Sequence, residues 1–368
     1  MRLSSHFCPE SRMGQAESPF DTEPAGAPAG SFAALTPDVV LDALEAAGLA
    51  PDGRLLMLSS YENRVWMAHL DDGSAVVAKF YRPEQGAHGQ RWSTAQILEE
   101  HAFAAELAAA EIPVVAPLEL AGATVPGSRT LAEHGGFRFS VSPRRGGRAP
   151  ELDDPAVLEW IGRFLARIHS VGAARSFSCR ERLDIAAMGE APLAWLMAEG
   201  DLPPTQRETY RSAAQQALDA VRECFAAAGA VAQIRLHGDC HPGNILWTPE
   251  GLPLPGPHFV DLDDARTGPA VQDLWMLASG DRADQTRQWS ALVDGYETMR
   301  EFDRRELHLV EALRTLRQIH YAAWLARRRT DPAFTVAFPW FGTDAYWAGQ
   351  AQQLREQCES MVQPALMI

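Results

Sequence analysis

The sequence predicts a two-lobed α+β protein: a small antiparallel sheet with one key helix, then a larger and mainly helical lobe. Three observations predict it. The β-rich segments GRLLMLSS, NRVWMAHL and SAVVAKFY follow one another, with Asp71-Asp72-Gly73 between the last two as a hairpin turn signal. Helical periods dominate beyond about residue 155. The chain, at 368 residues and 46% hydrophobic, is long enough for two buried cores.

Taken in order, residues 1–31 mix Ser, Glu, Pro, Gly and Ala, with too few large side chains to offset the entropy of ordering, and read as a flexible tail. Thr36 and Pro37 then supply an N-cap and first helical position, and Val40, Leu41, Leu44 and Leu49 an apolar face. After the three strands, Ser93 to Ala109 has helical character, with Ile97, Ala104 and Leu107 on one face; Pro113 returns the chain to extended form. FRFSVSPRRGG starts as a strand and ends in Pro143 and two glycines, which suits a hinge near Val141 to Arg145. The first lobe is therefore expected at 32–144 and the second at 145–368. Helices are expected at Val157 to His169, Thr205 to Ala228, Ala270 to Leu277 and Glu306 to Arg329, with no fixed-period repeat.

Composition excludes several classes of function. A net charge of −15 repels polyanions and leaves no footprint for general nucleic-acid binding. The five cysteines form no CxxC pair and cannot all pair with one another, which suits a reducing cytoplasm. No apolar run of about 18 residues is free of charge, and no signal-like start is present, so neither a membrane partner nor secretion is expected. A monomer is the simplest expectation.

The strongest chemical signal is HGDCHPGNILW, residues 237–247, followed by FVDLDDA, residues 259–265. Phosphoryl transfer needs a carboxylate near the attacking hydroxyl and hard oxygen ligands for magnesium, because charge on the phosphate oxygens must be neutralised. Asp239, Asn244 and Asp261 supply that set. The interval from Asp239 to Asn244 matches the H-R-D-x-x-x-x-N catalytic loop of protein kinases, and Asp261 follows a short apolar run, as a metal-binding aspartate should. Pro242 and Gly243 oppose a helix and allow a sharp path. A zinc site is the rival, since His237, Asp239, Cys240 and His241 are clustered ligand types. It lacks a second CxxC or HxxxH element, and Pro-Gly prevents an i, i+4 pair.

Lys79, at the end of VVAKF, is a lone cation on an apolar strand and resembles the kinase lysine that contacts the α and β phosphates. Its expected partner is Glu100, which shares a helical face with Ala104 and Leu107; Glu99 competes from another azimuth. No GxGxxG or GxxxxGKS occurs. Ser59 to Arg64, between the first two strands, offers hydroxyl and backbone donors to cover phosphates instead, with Ser60 the preferred contact.

At these motifs the chain resembles the aminoglycoside phosphotransferase and choline kinase superfamily, two-lobed enzymes with a protein-kinase-like fold and an HGDxHxGN loop. SSYENRVW, KFYRP, RWSTAQILEEHAF, HGDCHPGNILW and FVDLDDARTGPAVQDLWML together are similar to the bacterial stress-response serine/threonine protein kinases. The resemblance implies an ATP- and magnesium-dependent kinase: Asp239 the proton acceptor, Asn244 and Asp261 the Mg²⁺ ligands, Lys79 and Ser60 at the ATP site. It implies a protein substrate with a Ser/Thr acceptor, phosphorylated in the cytoplasm during stress. A small-molecule alcohol kinase and a catalytically silent nucleotide-binding module are the alternatives. The Pro/Gly-rich insertion TPEGLPLPGPH departs from the family pattern and is expected to be a longer hairpin loop.

Four further readings concern support. Asp263 and Asp264 read as solvated or turn-stabilising acids. Asp273, beside Leu274 and Trp275, reads as a buried acid that accepts backbone N–H bonds for the catalytic loop. His169 reads as a structural histidine. On the helix from Glu306, Leu309, Leu313, Leu316 and Ala323 form a core stripe, and Arg314, Arg317, Arg327, Arg328 and Arg329 read as solvated, with a substrate-docking surface as the second reading.

Overall fold

The computed structural model describes residues 32–58, 60, 62–82, 92–329, 334 and 337–368. The expected tail at residues 1–31 lies outside them, as do Ser59 and Tyr61 of the phosphate-covering segment. Strands β1 (Pro51–Leu58), β2 (Arg64–Leu70), β3 (Ala75–Phe80), β4 (Ala132–His134) and β5 (Phe137–Pro143) form an antiparallel sheet in the order β1-β2-β3-β5-β4. Asp71 to Gly73 makes the β2–β3 turn, with Gly73 at φ +83°, the left-handed conformation such a turn requires.

Strand alternation sets the direction of every side chain in β3. Val76, Ala78 and Phe80 are buried in one core, where Phe80 stacks on Phe139 with ring centroids 5.1 Å apart. Losing a buried ring of this kind costs about 3–5 kcal/mol. Helix α1 (Pro37–Ala46) closes that face with Val40, Ala43 and Leu44, starting at the Thr36 cap and Pro37 as expected. Val77 and Lys79 therefore point to the opposite face. Of their neighbours in register, Val65 on β2 and Ser140 and Ser142 on β5 line the interlobe cleft with them.

Helix α2 (Thr94–Ala109) begins with a reciprocal capping box between Ser93 and Gln96. Its Phe103, Ala104 and Leu107 enter the core of the helical lobe, so α2 bridges the two halves. That lobe contains α3 (Pro155–Ala173), α4 (Ala191–Glu199), α5 (Pro204–Ala228), α6 (Arg282–Glu297), α7 (Val310–Arg328) and a C-terminal helix, Asp344–Met361. Two small antiparallel pairs frame the segments 237–244 and 260–265: β6 (Ile234–Leu236) with β9 (Arg266–Gly268), and β7 (Ile245–Thr248) with β8 (Gly256–Phe259). The TPEGLPLPGPH insertion spans the β7–β8 hairpin loop, as expected.

Two helical expectations are corrected. Ala270 to Leu277 is not one helix but two 3-10 turns, Ala270–Asp273 and Trp275–Leu277, because Gln272 and Asp273 turn inward to bond Gly238 in the loop after β6. The segment from Glu306 begins inside a 3-10 turn, Arg304–Leu309, before α7 proper. Among the described residues no helix is long and apolar enough to cross a membrane.

Candidate active site

The cleft between the lobes has a volume of about 710 Å³, and Ser60, Lys79, Glu100, Asp239, Asn244 and Asp261 all line it. Its floor is the loop after β6. Gly238 sits at φ +89°, and a Cβ there would come within 2.0 Å of the Asp264 carbonyl oxygen, so only glycine lets the two segments approach. Asp273 anchors the loop, as the sequence suggests: its carboxylate accepts N–H bonds from His237 and Gly238, both at 2.8 Å. His169, fully buried, lies 3.0 Å from Asp273 through Nε2 and 2.9 Å from the Tyr296 hydroxyl through Nδ1, the structural role expected of it.

The same loop is tied to the segment that carries Asp261. His237 Nε2 lies 2.9 Å from the Val260 carbonyl, and the Val260 N–H donates to the Asn244 carbonyl at 3.0 Å. Asn244 ends a single 3-10 turn, Pro242–Asn244, and its Nδ2 donates to the Asp239 carbonyl at 3.0 Å. Asp261 follows β8 in the left-handed conformation, φ +62°, which turns its side chain out of the strand direction and into the cleft. Asp239, Asn244 and Asp261 thus come together through backbone links that the motif spacing alone could not display.

Lys79 is where the structure departs from expectation. Its ammonium donates to Asp261 Oδ1 at 2.7 Å and to Asp263 Oδ1 at 2.9 Å, not to Glu100. Burial alone would lower the lysine pKa, but these two carboxylates hold it well above the ordinary value. Lys79 in turn keeps the Asp261 carboxyl below the usual range. Asp263 is not a solvated acid: burial raises its pKa despite Lys79, and Asn63 Nδ2 donates to its Oδ2 at 2.8 Å. Asp264 pairs with Arg266.

Glu100 sits deeper. Its carboxyl lies 3.6 Å from His101 Nε2, and burial with the nearby Asp263 pushes its pKa up to about 8. Glu99, the competing choice, does other work: its carboxylate accepts backbone N–H bonds from Ser178, Cys179 and Arg180. Arg180 then donates to the Ala265 and Asp263 carbonyls, so α2 is fastened to the segment behind Asp261 through this relay.

The arginines of α7 are corrected as well. Arg317 Nη1 lies 2.5 Å from Asp239 Oδ1, and Arg328, buried against the Trp324 ring, pairs with Glu62 across the cleft. Sequence reasoning missed Asp263, Arg180, Arg317 and Arg328. For Asp263 the available signal was three acids within four positions beside a strand end; for the others none was local.

A hard cation fits this donor set. Among the described residues Asn244 Oδ1 and Asp261 Oδ2 carry no hydrogen bond, although their neighbouring atoms do. Two such oxygens match the way magnesium is held, by one or two protein groups together with substrate phosphates. A closed zinc site does not fit: among the described residues no three His, Cys, Asp or Glu side chains converge, and Cys240 is fully buried in the core with its thiol pKa well raised by burial.

The sequence profile of the phosphotransferase enzyme family matches residues 56–310. The chain belongs to this family. The matched region of the phosphotransferase takes in Ser60, Lys79, Glu100, Asp239, Asn244 and Asp261, and ends at the start of α7. This phosphotransferase is 42% identical over 338 residues to serine/threonine protein kinase RdoA of Salmonella typhimurium, covering 92% of this chain and 97% of that protein. Stress response kinase A of Escherichia coli K12 is 41% identical over 342 residues, with coverage of 92% and 97%. In fold it is similar to amicoumacin kinase hAmiN, solved in complex with AMP-PNP, Ca²⁺ and Ami, with TM-score 0.64 at 19% identity, covering 88% of this chain and 93% of that one.

Proposed function

We propose that this phosphotransferase moves the γ-phosphoryl group of ATP to serine or threonine hydroxyls of protein substrates, with magnesium, in a cytoplasmic stress response, and that it acts as a monomer. The observation that carries the reading is the convergence in one cleft of Lys79, Asp239, Asn244 and Asp261. The acceptor class is supported by the 42% identity to a serine/threonine protein kinase over nearly its whole length. The lobe boundary proposed near residues 144 and 145 agrees with the end of β5 at Pro143 and with the bonding of Arg148 to Trp247 on the helical side.

In this mechanism Lys79 binds the phosphates of ATP, and Ser60, which lines the cleft, contacts them from the β1–β2 connection. Asn244 and Asp261 would hold magnesium, which when bound neutralises charge on the phosphate oxygens. Asp239 orients the acceptor hydroxyl and takes its proton as the new bond to phosphorus forms. Because the transition state is loose, little basicity is required of that carboxylate, and its placement carries most of the effect. Glu100 lines the same cleft without a direct bond to the lysine.

The test is to incubate the protein with γ-labelled ATP, Mg²⁺ and a heat-treated whole-cell extract, then separate protein from metabolites. Label in protein, recovered as phosphoserine or phosphothreonine after hydrolysis, is expected. Label confined to the metabolite fraction would overturn the protein acceptor and favour a small alcohol.

A further inference from the structure

We propose that Arg317 is a positioning residue for phosphoryl transfer: from α7 its guanidinium holds the Asp239 carboxylate in the orientation that receives the acceptor's proton. The inference rests on the reading of Asp239 as that proton acceptor.

Asp239 needs such a holder. The bonds that fix its loop fall on backbone atoms: its carbonyl accepts from Asn244 Nδ2 and from the His241 N–H. They leave the carboxylate free to turn. Of its two oxygens, Oδ2 has His241 Nε2 at 3.6 Å, beyond hydrogen-bond reach, whereas Oδ1 takes a charge-assisted bond from Arg317 at 2.5 Å. With Oδ1 held, Oδ2 is the atom left to accept from a hydroxyl.

Packing does not explain the arginine. Leu313, Leu316, Ile319 and Ala323 anchor α7 in the core, while the Arg317 side chain is 43% exposed in the cleft, so its removal opens no cavity. Nor is it one of the ion pairs that decorate a helix surface. The positions one turn away, Leu313, Arg314, His320 and Tyr321, offer no carboxylate, and Arg314 takes the nearby Glu311. Among the described residues the ion pair of Arg317 is with Asp239, 78 positions away and on another element. An ion pair this exposed adds little to folding stability. Its consequence is positional: a single charge-assisted bond, from a helix anchored in the core, fixes where Oδ1 lies. Arg317 also lies beyond the region matched by the family profile, residues 56–310, so the shared motifs do not account for it.

The experiment measures label transfer from γ-labelled ATP into the protein fraction of a heat-treated extract, at saturating Mg-ATP, for wild type, Arg317→Ala, Arg317→Lys, Asp239→Asn and the Ala/Asn double variant. Arg317→Ala should be slower by about 10- to 10²-fold, the range expected when a reacting group is misplaced, with melting temperature and Mg-ATP affinity unchanged. Arg317→Lys should recover part of the loss. Added ethylguanidinium should raise the rate of Arg317→Ala and leave wild type unaffected, and the double variant should be no slower than Asp239→Asn. A wild-type rate for Arg317→Ala beside a slow Asp239→Asn would overturn the positioning role alone, as would fully additive losses with no rescue. A wild-type rate for Asp239→Asn would instead overturn the reading beneath it.

Discussion

Lys79 on the third strand and Asp261 beyond the eighth meet across the cleft at 2.7 Å, although 182 positions separate them in the chain. Asp263 shares the same ammonium at 2.9 Å. One cation therefore compensates two carboxylates and joins the sheet lobe to the segment that carries the proposed metal ligand. Removing it leaves like charges facing each other.

It follows that Lys79→Met should lower turnover by about 10²-fold or more, and that Lys79 and Asp263 should couple in stability by about 0.5–3 kcal/mol in a double-mutant cycle. Lys79 and Glu100 should be close to additive in the same cycle, since this arrangement has no direct bond between them. Glu100→Gln should barely change the melting temperature at pH 7, because a carboxyl with its pKa near 8 already carries its proton there. Strong Lys79–Glu100 coupling in melts would contradict this.

How much of this was open to sequence reasoning depends on the range of each contact. The alternation of Val76, Ala78 and Phe80 against Val77 and Lys79 is local, and it places the lysine on the cleft face without knowledge of the rest. The Asp239 to Asn244 interval and the Thr36 and Ser93 caps are local in the same sense. The partner of Lys79 is not. Helical phase correctly buries Glu100 with Ala104 and Leu107, but phase says nothing of how far along the sheet α2 lies, and Asp263 stands nearer. Ala270 to Leu277 has helical period yet winds as 3-10 turns, since the inward bonds of Gln272 and Asp273 depend on the folded loop. Arg317 resembles any solvated arginine until α7 is laid beside Asp239.

Asp273 offers a test of the scaffold beneath the chemistry. Its fully buried carboxylate accepts two backbone N–H bonds and faces His169, so Asp273→Ala leaves several donors unsatisfied in the core. A loss of about 3–5 kcal/mol is expected in urea unfolding, with Asp273→Asn losing less. An Ala variant within 1 kcal/mol of wild type, on the same scale of about 1 kcal/mol per net hydrogen bond, would show that the loop holds itself.

Glu306 supplies a pH dependence. The buried carboxyl accepts the Val271 N–H at 2.7 Å, and burial pushes its pKa up from 4.5 to about 7. The folded protein thus binds this proton more tightly than the unfolded chain. Its contribution, of order 3 kcal/mol, is full below pH 4.5 and is lost as pH rises through about 7. Compared with Glu306→Gln, the wild type should lose stability in urea between pH 5 and 7.5; parallel curves for the two proteins would refute the assignment.

Asp261→Ala should remove the metal-dependent part of ATP binding, because one hard anionic oxygen is withdrawn from a site with two protein donors. Titration calorimetry with ATP, with and without Mg²⁺, measures it directly. The variant should bind ATP with the same weak affinity in both conditions, and a Mg²⁺ enhancement equal to that of wild type would remove Asp261 from the ligand set.

The central claim is that Asp239 takes the proton while the residues around it hold the phosphates. The most direct measurement is the rate of γ-phosphoryl transfer to extract protein by wild type and Asp239→Asn, both at saturating Mg-ATP, with nucleotide affinity determined in parallel. The Asn variant should bind Mg-ATP as wild type does and transfer about 10²-fold more slowly or worse. Equal transfer rates at equal affinity would show that the acceptor loses its proton without Asp239, and the proposed mechanism would be wrong.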